Sequence, residues 1–153
     1  MTEVIRSTHM GQFHGGAWLI DLESGDAEKV LSWDDGTIDF EGRGGMRGLR
    51  GIAFHNGEIY IAAHDELFVF DQKFNKLRSF PCPNLTQTHE ICSDGSTLYL
   101  TSTKRDSIIE FDLAEQKFTR ARLLIGQRQQ VRGKRGPVVQ MVFRTREFDP
   151  FMD

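Results

Sequence analysis

Residues 52–71 read IAFHNGEIYIAAHDELFVFD and residues 91–112 read ICSDGSTLYLTSTKRDSIIEFD, and these two stretches say the same thing twice. Placing Ile52 on Ile91 brings Tyr60 onto Tyr99 and Ile61 onto Leu100; after a short insertion Phe70 and Asp71 fall on Phe111 and Asp112. Apolar and polar residues alternate within each copy, which is the period of a strand with one face buried. Asn56-Gly57 and Asp94-Gly95 interrupt the alternation with residues that accept positive φ, as a tight hairpin demands. A period near forty residues built from short strands points to a propeller blade or a related all-β repeat.

Working outward, one four-strand unit covers 49–80 and a second covers 90–122. Residues 3–31 match the second, third and fourth strands of such a unit but have nothing in place of the first. Residues 137–143, PVVQMVF, form a lone strand after the last unit. The reading is an all-β single domain over 1–153, half of a six-bladed propeller with about three blades. Three blades cannot close a ring, so a second copy is expected to complete it, with 137–143 of each chain finishing the first blade of its partner by strand exchange. A fragment of a longer propeller and a non-propeller β fold stay open as alternatives.

Whole-chain numbers bound the class. At 153 residues the chain has one domain's worth of sequence, and 39% hydrophobic with 27% charged residues is the balance of an ordinary folded domain. No apolar run reaches the roughly eighteen residues of a membrane span, and the first residues carry no apolar signal segment, so a cytoplasmic location is expected. Cys82 and Cys92 read as free thiols of a reducing compartment. The net charge of -3 conceals a polarity: no acid falls between Glu115 and Glu147, whereas Asp21, Glu23, Asp26, Glu28, Asp34, Asp35, Asp39 and Glu41 crowd the front. A basic run over 120–135 facing an acidic front suits a head-to-tail contact between copies. Weak nonspecific nucleic-acid binding through phosphates by that run is a further alternative, although no aromatics interleave with it.

The strings FHGGAWLIDLESG, WDDGTIDFEGRGGMRGLRGIAF and THEICSDGSTLYLTSTKRDSIIEFDL resemble a group of poorly characterised bacterial propeller proteins. More distantly, the chain is similar to the six-bladed superfamily of NHL-repeat proteins and regucalcin-type gluconolactonases. The resemblance implies a ligand site at the channel mouth and, for the lactonase branch, a divalent cation such as calcium that polarises a substrate carbonyl. Glu90 is the acid nearest to such a position, but its counterpart one unit earlier is Gly51, so the ring of metal ligands is not evident.

Candidate site residues follow. His89 and Glu90 open an inner strand and are the candidate acid-base or catalytic pair, Glu90 doubling as a metal ligand. The plainer reading has His89 anchoring a loop and Glu90 paired with an arginine such as Arg50. Asp34 and Asp35 lead an acidic cluster whose oxygens suit a hard cation. Trp33 beside them offers a stacking surface or packs over a sheet junction. The loop EGRGGMRGLRG, residues 41–51, offers Arg43, Arg47 and Arg50 to a carboxylate or phosphate. His9, His14 and His64 are a weaker zinc candidate. The leading function is a binding or scaffold protein that dimerises and takes a small polar or anionic ligand; a metal-dependent hydrolase or lactonase is the alternative.

Overall fold

The structure is a computed structural model that describes residues 1–5, 13–33, 48–133 and 136–152. Its regular elements are β1 (Thr2–Val4), β2 (Gly15–Ile20), β3 (Ala27–Ser32), β4 (Leu49–His55), β5 (Glu58–Ala63), β6 (Glu66–Phe70), β7 (Lys76–Pro81), β8 (Ile91–Ser93), β9 (Thr97–Ser102), β10 (Ser107–Asp112), β11 (Lys117–Gly133) and β12 (Gly136–Phe148), with a 3-10 turn at Thr103–Arg105. They form three antiparallel sheets in the orders β1-β2-β3, β4-β5-β6-β7 and β12-β11-β10-β9-β8.

Burial explains why the strands read as they do. The middle sheet is covered on both faces. Ile59, Ile61, Ala63, Phe68 and Phe70 pack with Ala17 and Trp33 toward the first sheet. Tyr60, Ala62, Leu67 and Val69 pack with Leu98, Leu100, Ile109 and Phe111 toward the third. A sheet with two dry faces needs nearly continuous apolar strands, hence IYIAA in β5 and LFVF in β6. The third sheet has one dry face, so β10 buries Ser107, Ile109 and Phe111 and turns the residues between them outward.

Two glycine positions are required by geometry. A Cβ on Gly16 would lie 2.0 Å from the Leu31 carbonyl oxygen, and one on Gly15 would lie 2.1 Å from that of Glu3. Gly15-Gly16 thus lets β2 fit between β1 and β3. Gly51, at φ +64, sits in a bulge of β4 between Arg50 and Ile52. The extra residue puts Leu49 and Ile52, an odd distance apart, against the same core toward the first sheet. Asn56-Gly57 makes the expected hairpin with φ of 47° and 77°.

The half-propeller expectation is overturned at the level of assembly. The chain is all-β, but its sheets hold three, four and five strands, are discrete and open, and neither curl nor close as blades of a ring. Alternation reports which residues are strands and which faces are dry; it does not report the angles that would make sheets into blades, nor does similar wording make the sheets repeat. The expected closing strand is also placed differently. Residues 137–143 lie inside β12, which pairs with β11 of the same chain from Ala121↔Phe148 to Gly133↔Gly136. The segment expected as a basic connection is the second half of β11. Hairpin pairing within one chain is the shorter route to satisfying those backbone groups, and Gly133 and Gly136 form its last pair.

The terminal tail is docked. Asn84 Nδ2 donates to the carbonyls of Pro150 (2.9 Å) and Met152 (2.8 Å), and Phe151 meets Phe118 edge-on. Cys82 is buried and Cys92 exposed, both as free thiols. No helix among the described residues is long and apolar enough to cross a membrane.

Candidate functional site

The residues expected to converge do so only in part. β4 and β8 lie side by side, and Gly51 is packed so closely on the start of β8 that a Cβ there would meet Ile91 at 2.9 Å. This brings Arg50 to His89: Arg50 Nη1 stands 3.2 Å from His89 Nδ1 and 3.4 Å from Nε2. A guanidinium only donates, so the imidazole nitrogen facing it accepts. The backbone N–H groups of His89 and Glu90 both donate to Thr101 Oγ1, at 3.2 and 3.1 Å, and Thr101 N–H returns a bond to the Glu90 carbonyl. Thr101 therefore fixes the dipeptide at the head of β8, with both side chains exposed.

Trp33 is elsewhere. It is 4% exposed, its ring meets Phe68 edge-on at a centroid distance of 4.7 Å, and it belongs to the core between the first two sheets. It packs; it offers no face to a ligand. Asp34, Asp35, Arg43 and Arg47 lie outside the described residues, as does His9. Among the described residues no three His, Cys, Asp or Glu side chains gather as a metal would require, so Glu90 has no partner ligands there. His14 is fully buried. The metal-dependent hydrolase and the ligand site at a channel mouth are set aside with the ring that would have formed them.

A different feature stands out. β10 stops pairing with β11 at Ser107↔Leu123, and the last tie to the rest of the sheet is Leu124 N–H to the Asp106 carbonyl at 2.7 Å. Beyond it β11 and β12 run on as a two-stranded arm from Leu124↔Thr145 to Gly133↔Gly136. At about 3.3 Å per residue the arm reaches roughly 30 Å past the sheet. Its base is clamped: Glu110 accepts from Arg122 Nε at 2.8 Å, and Glu147 lies 3.1 Å from Arg122 Nη1 and 3.7 Å from Arg120 Nη1. Arg128, Arg132 and Arg144 farther out have no carboxylate partner among the described residues, and Phe143 and Leu124 are 68% and 40% exposed. The basic run read as a connection lies in β11 from Arg120 to Gly133, and its first two arginines are already paired.

The first sheet, across the middle sheet from the third, carries a surface of opposite charge. The β2–β3 turn and the start of β3 hold Asp21, Glu23, Asp26 and Glu28, all exposed, beside the exposed apolar side chains of Leu19, Ile20 and Leu22. Asp21 Oδ1 accepts from the N–H groups of Glu23 and Ser24, both at 2.8 Å, which holds its carboxyl below the usual range and the turn in shape. The sequence signal for both surfaces was the charge polarity; what sequence reasoning missed was that β11 and β12 outrun their sheet.

No family model matches the chain, and no curated protein matches it. The resemblance to the NHL-repeat and gluconolactonase superfamily therefore has no family match behind it, and the open sheets contradict the architecture it implied.

Proposed function

We propose that this chain is an assembly module that binds a second copy of itself, the basic arm of each copy seated on the acidic β2–β3 end of the other. The arm carries the reading. Two strands alone in water are marginal, and this pair has no third strand beside it among the described residues. Its outer arginines and exposed Phe143 and Leu124 match the exposed acids and the exposed Leu19, Ile20 and Leu22 around the β2–β3 turn. Each arm face is roughly 30 Å by 10 Å. Two reciprocal contacts, counted on both partners, cover on the order of 1,200 Å², the lower end of specific interfaces. Opposite charges there set orientation and speed of encounter, while the apolar side chains supply the driving force.

The test is solution mass by light scattering across a concentration series at low and high salt. It uses the full chain, a double reversal Arg128→Glu/Arg144→Glu, the reversal Asp26→Lys/Glu28→Lys, and all four together. The expected result is a dimer weakened at least tenfold by either reversal and restored by combining them. A monomer at all concentrations, or a dimer indifferent to both reversals, overturns the proposal.

A further inference from the structure

Where the arm leaves the third sheet there is a cavity of about 280 Å³ lined by Arg105, Leu123, Arg146, Phe148 and Met152. Its walls come from four separate pieces of chain: the 3-10 turn, β11, β12 and the docked tail. Leu123 and Arg146 are opposite one another in the β11–β12 register, as are Ala121 and Phe148 two residues along. All four therefore share one face of the hairpin. Ala121 on that face is fully buried in the core, against which Phe148 also packs. The cavity is thus the place where the dry face of the sheet runs out from under its neighbours: an apolar floor that continues the core, with two guanidinium groups among its walls.

We propose that this cavity binds a small apolar group bearing a carboxylate, the apolar body resting on Leu123, Phe148 and Met152 and the carboxylate held by Arg146 and Arg105. The chemistry follows from the lining. A guanidinium matches a carboxylate through two parallel N–H···O bonds, and apolar walls with a few placed polar groups are the usual make-up of a ligand site. The volume lies near the small end of such sites, roughly 300 to 1,000 Å³. That suits a short aliphatic or aromatic acid, or the terminal residue of a peptide with its free carboxylate. The site lies at the base of the arm but shares none of Leu124, Arg128, Arg132, Phe143 and Arg144 with the proposed dimer contact, so the two proposals fail separately.

The experiment is calorimetric titration of the full chain with hexanoate, against hexanol and hexylamine as probes of equal apolar length. A short peptide ending in leucine, with free and with amidated C-terminus, forms the second arm. Saturable hexanoate binding at least tenfold tighter than hexanol, reduced at least tenfold by Arg146→Gln and partly recovered in Arg146→Lys, is the expected result. Tighter binding of the free-ended peptide than of hexanoate assigns the carboxylate to a chain terminus; equal or weaker binding assigns it to a free acid. Arg146 is exposed, so its substitution leaves the fold in place. Hexanol binding as well as hexanoate, no saturable binding at all, or hexanoate affinity unchanged in Arg146→Gln overturns the proposal. Filling the floor with Leu123→Trp should abolish binding without altering the dimer.

Discussion

Arg78 on β7 grips Glu58 on β5 across the intervening strand, with Nη1 to Oε1 at 2.8 Å and Nη2 to Oε2 at 2.6 Å. The same guanidinium donates through Nε to Gln116 Oε1 at 2.9 Å, in the β10–β11 turn of the next sheet. Tyr60 OH completes the group by donating to Glu58 Oε2 at 2.8 Å. One arginine thus ties the middle sheet to the third. Hydrogen bonds between charged groups contribute about 1.5 to 3 kcal/mol each when one partner is removed from a half-buried site. Arg78→Ala is therefore expected to lower unfolding stability by about 2 kcal/mol, read from urea denaturation. A change under about 0.5 kcal/mol, ordinary for a surface position, would mean the network is ornamental.

The same network sets an alkaline limit. Tyr60 is pushed up to about 12, first by burial and then by the Glu58 carboxylate its hydroxyl faces. In the unfolded chain the phenol ionises near its ordinary value of 10.0. A group whose folded pKa is raised contributes stability that is whole below the unfolded pKa and lost as pH climbs through the folded one. Stability should thus decline between about pH 10 and pH 12. Tyr60→Phe should flatten that decline; an identical slope in both proteins removes Tyr60 as its source.

On the acid side Glu58 has the opposite sign. Its hydrogen bonds from Arg78 hold its carboxyl below the ordinary value of 4.5. A depressed carboxyl contributes stability present above the unfolded pKa and lost as pH falls through the folded one. Acid unfolding monitored by circular dichroism should show Glu58→Gln already weakened at neutral pH, with a shallower loss below about pH 4.5 than the parent.

Gly16→Ala tests the first sheet by itself. The added Cβ would sit 2.0 Å from a backbone oxygen that cannot move without breaking the β2–β3 ladder. The expected outcome is detachment of β3 and a change in the environment of Trp18, whose Nε1 donates to Glu3 at 3.0 Å. Its fluorescence reports this directly, and an unaltered spectrum and melting temperature would contradict the close approach.

Phe111 is the ring on which the core toward the third sheet converges, with Phe80 at 4.9 Å, Phe118 at 5.0 Å and Tyr60 at 6.4 Å between centroids. Phe111→Ala should cost about 3 to 5 kcal/mol, whereas Leu77→Ala, on an exposed side chain, should stay within about 0.5 kcal/mol. Both are read from the same denaturation curves.

Local grammar was legible in this chain, and long-range arrangement was not. Asn56-Gly57 announced its hairpin because only residues tolerant of positive φ fit there, and the strands of the middle and third sheets fell close to where the alternation put them. The second half of β11 defeated the same reading. GQRQQVRG, residues 126–133, has the charge and glycine content of a loop, and only its pairing partner makes it a strand. Trp33 illustrates the limit for sites. Beside Asp34 and Asp35 it looks like a ligand platform, yet its burial depends on Phe68, thirty-five positions away. Arg50 and His89 were each singled out, but their meeting depends on the Gly51 bulge and the approach of β4 to β8, neither of which leaves a mark in local sequence.

The doubly covered middle sheet has a consequence for how the molecule breathes. Amides of β5 and β6 have packed side chains above and below and a bonded strand on either side, so solvent deuterium reaches them only when the whole domain opens. The first sheet has one layer of neighbours, and the arm has none among the described residues. Each can open and close while the centre stays shut. The chain therefore graduates from a slow-exchanging middle to fast-exchanging ends, and both surfaces proposed to meet in the dimer lie on the parts that yield first. Partner binding would register as protection appearing at the two ends of the molecule, with the centre unchanged.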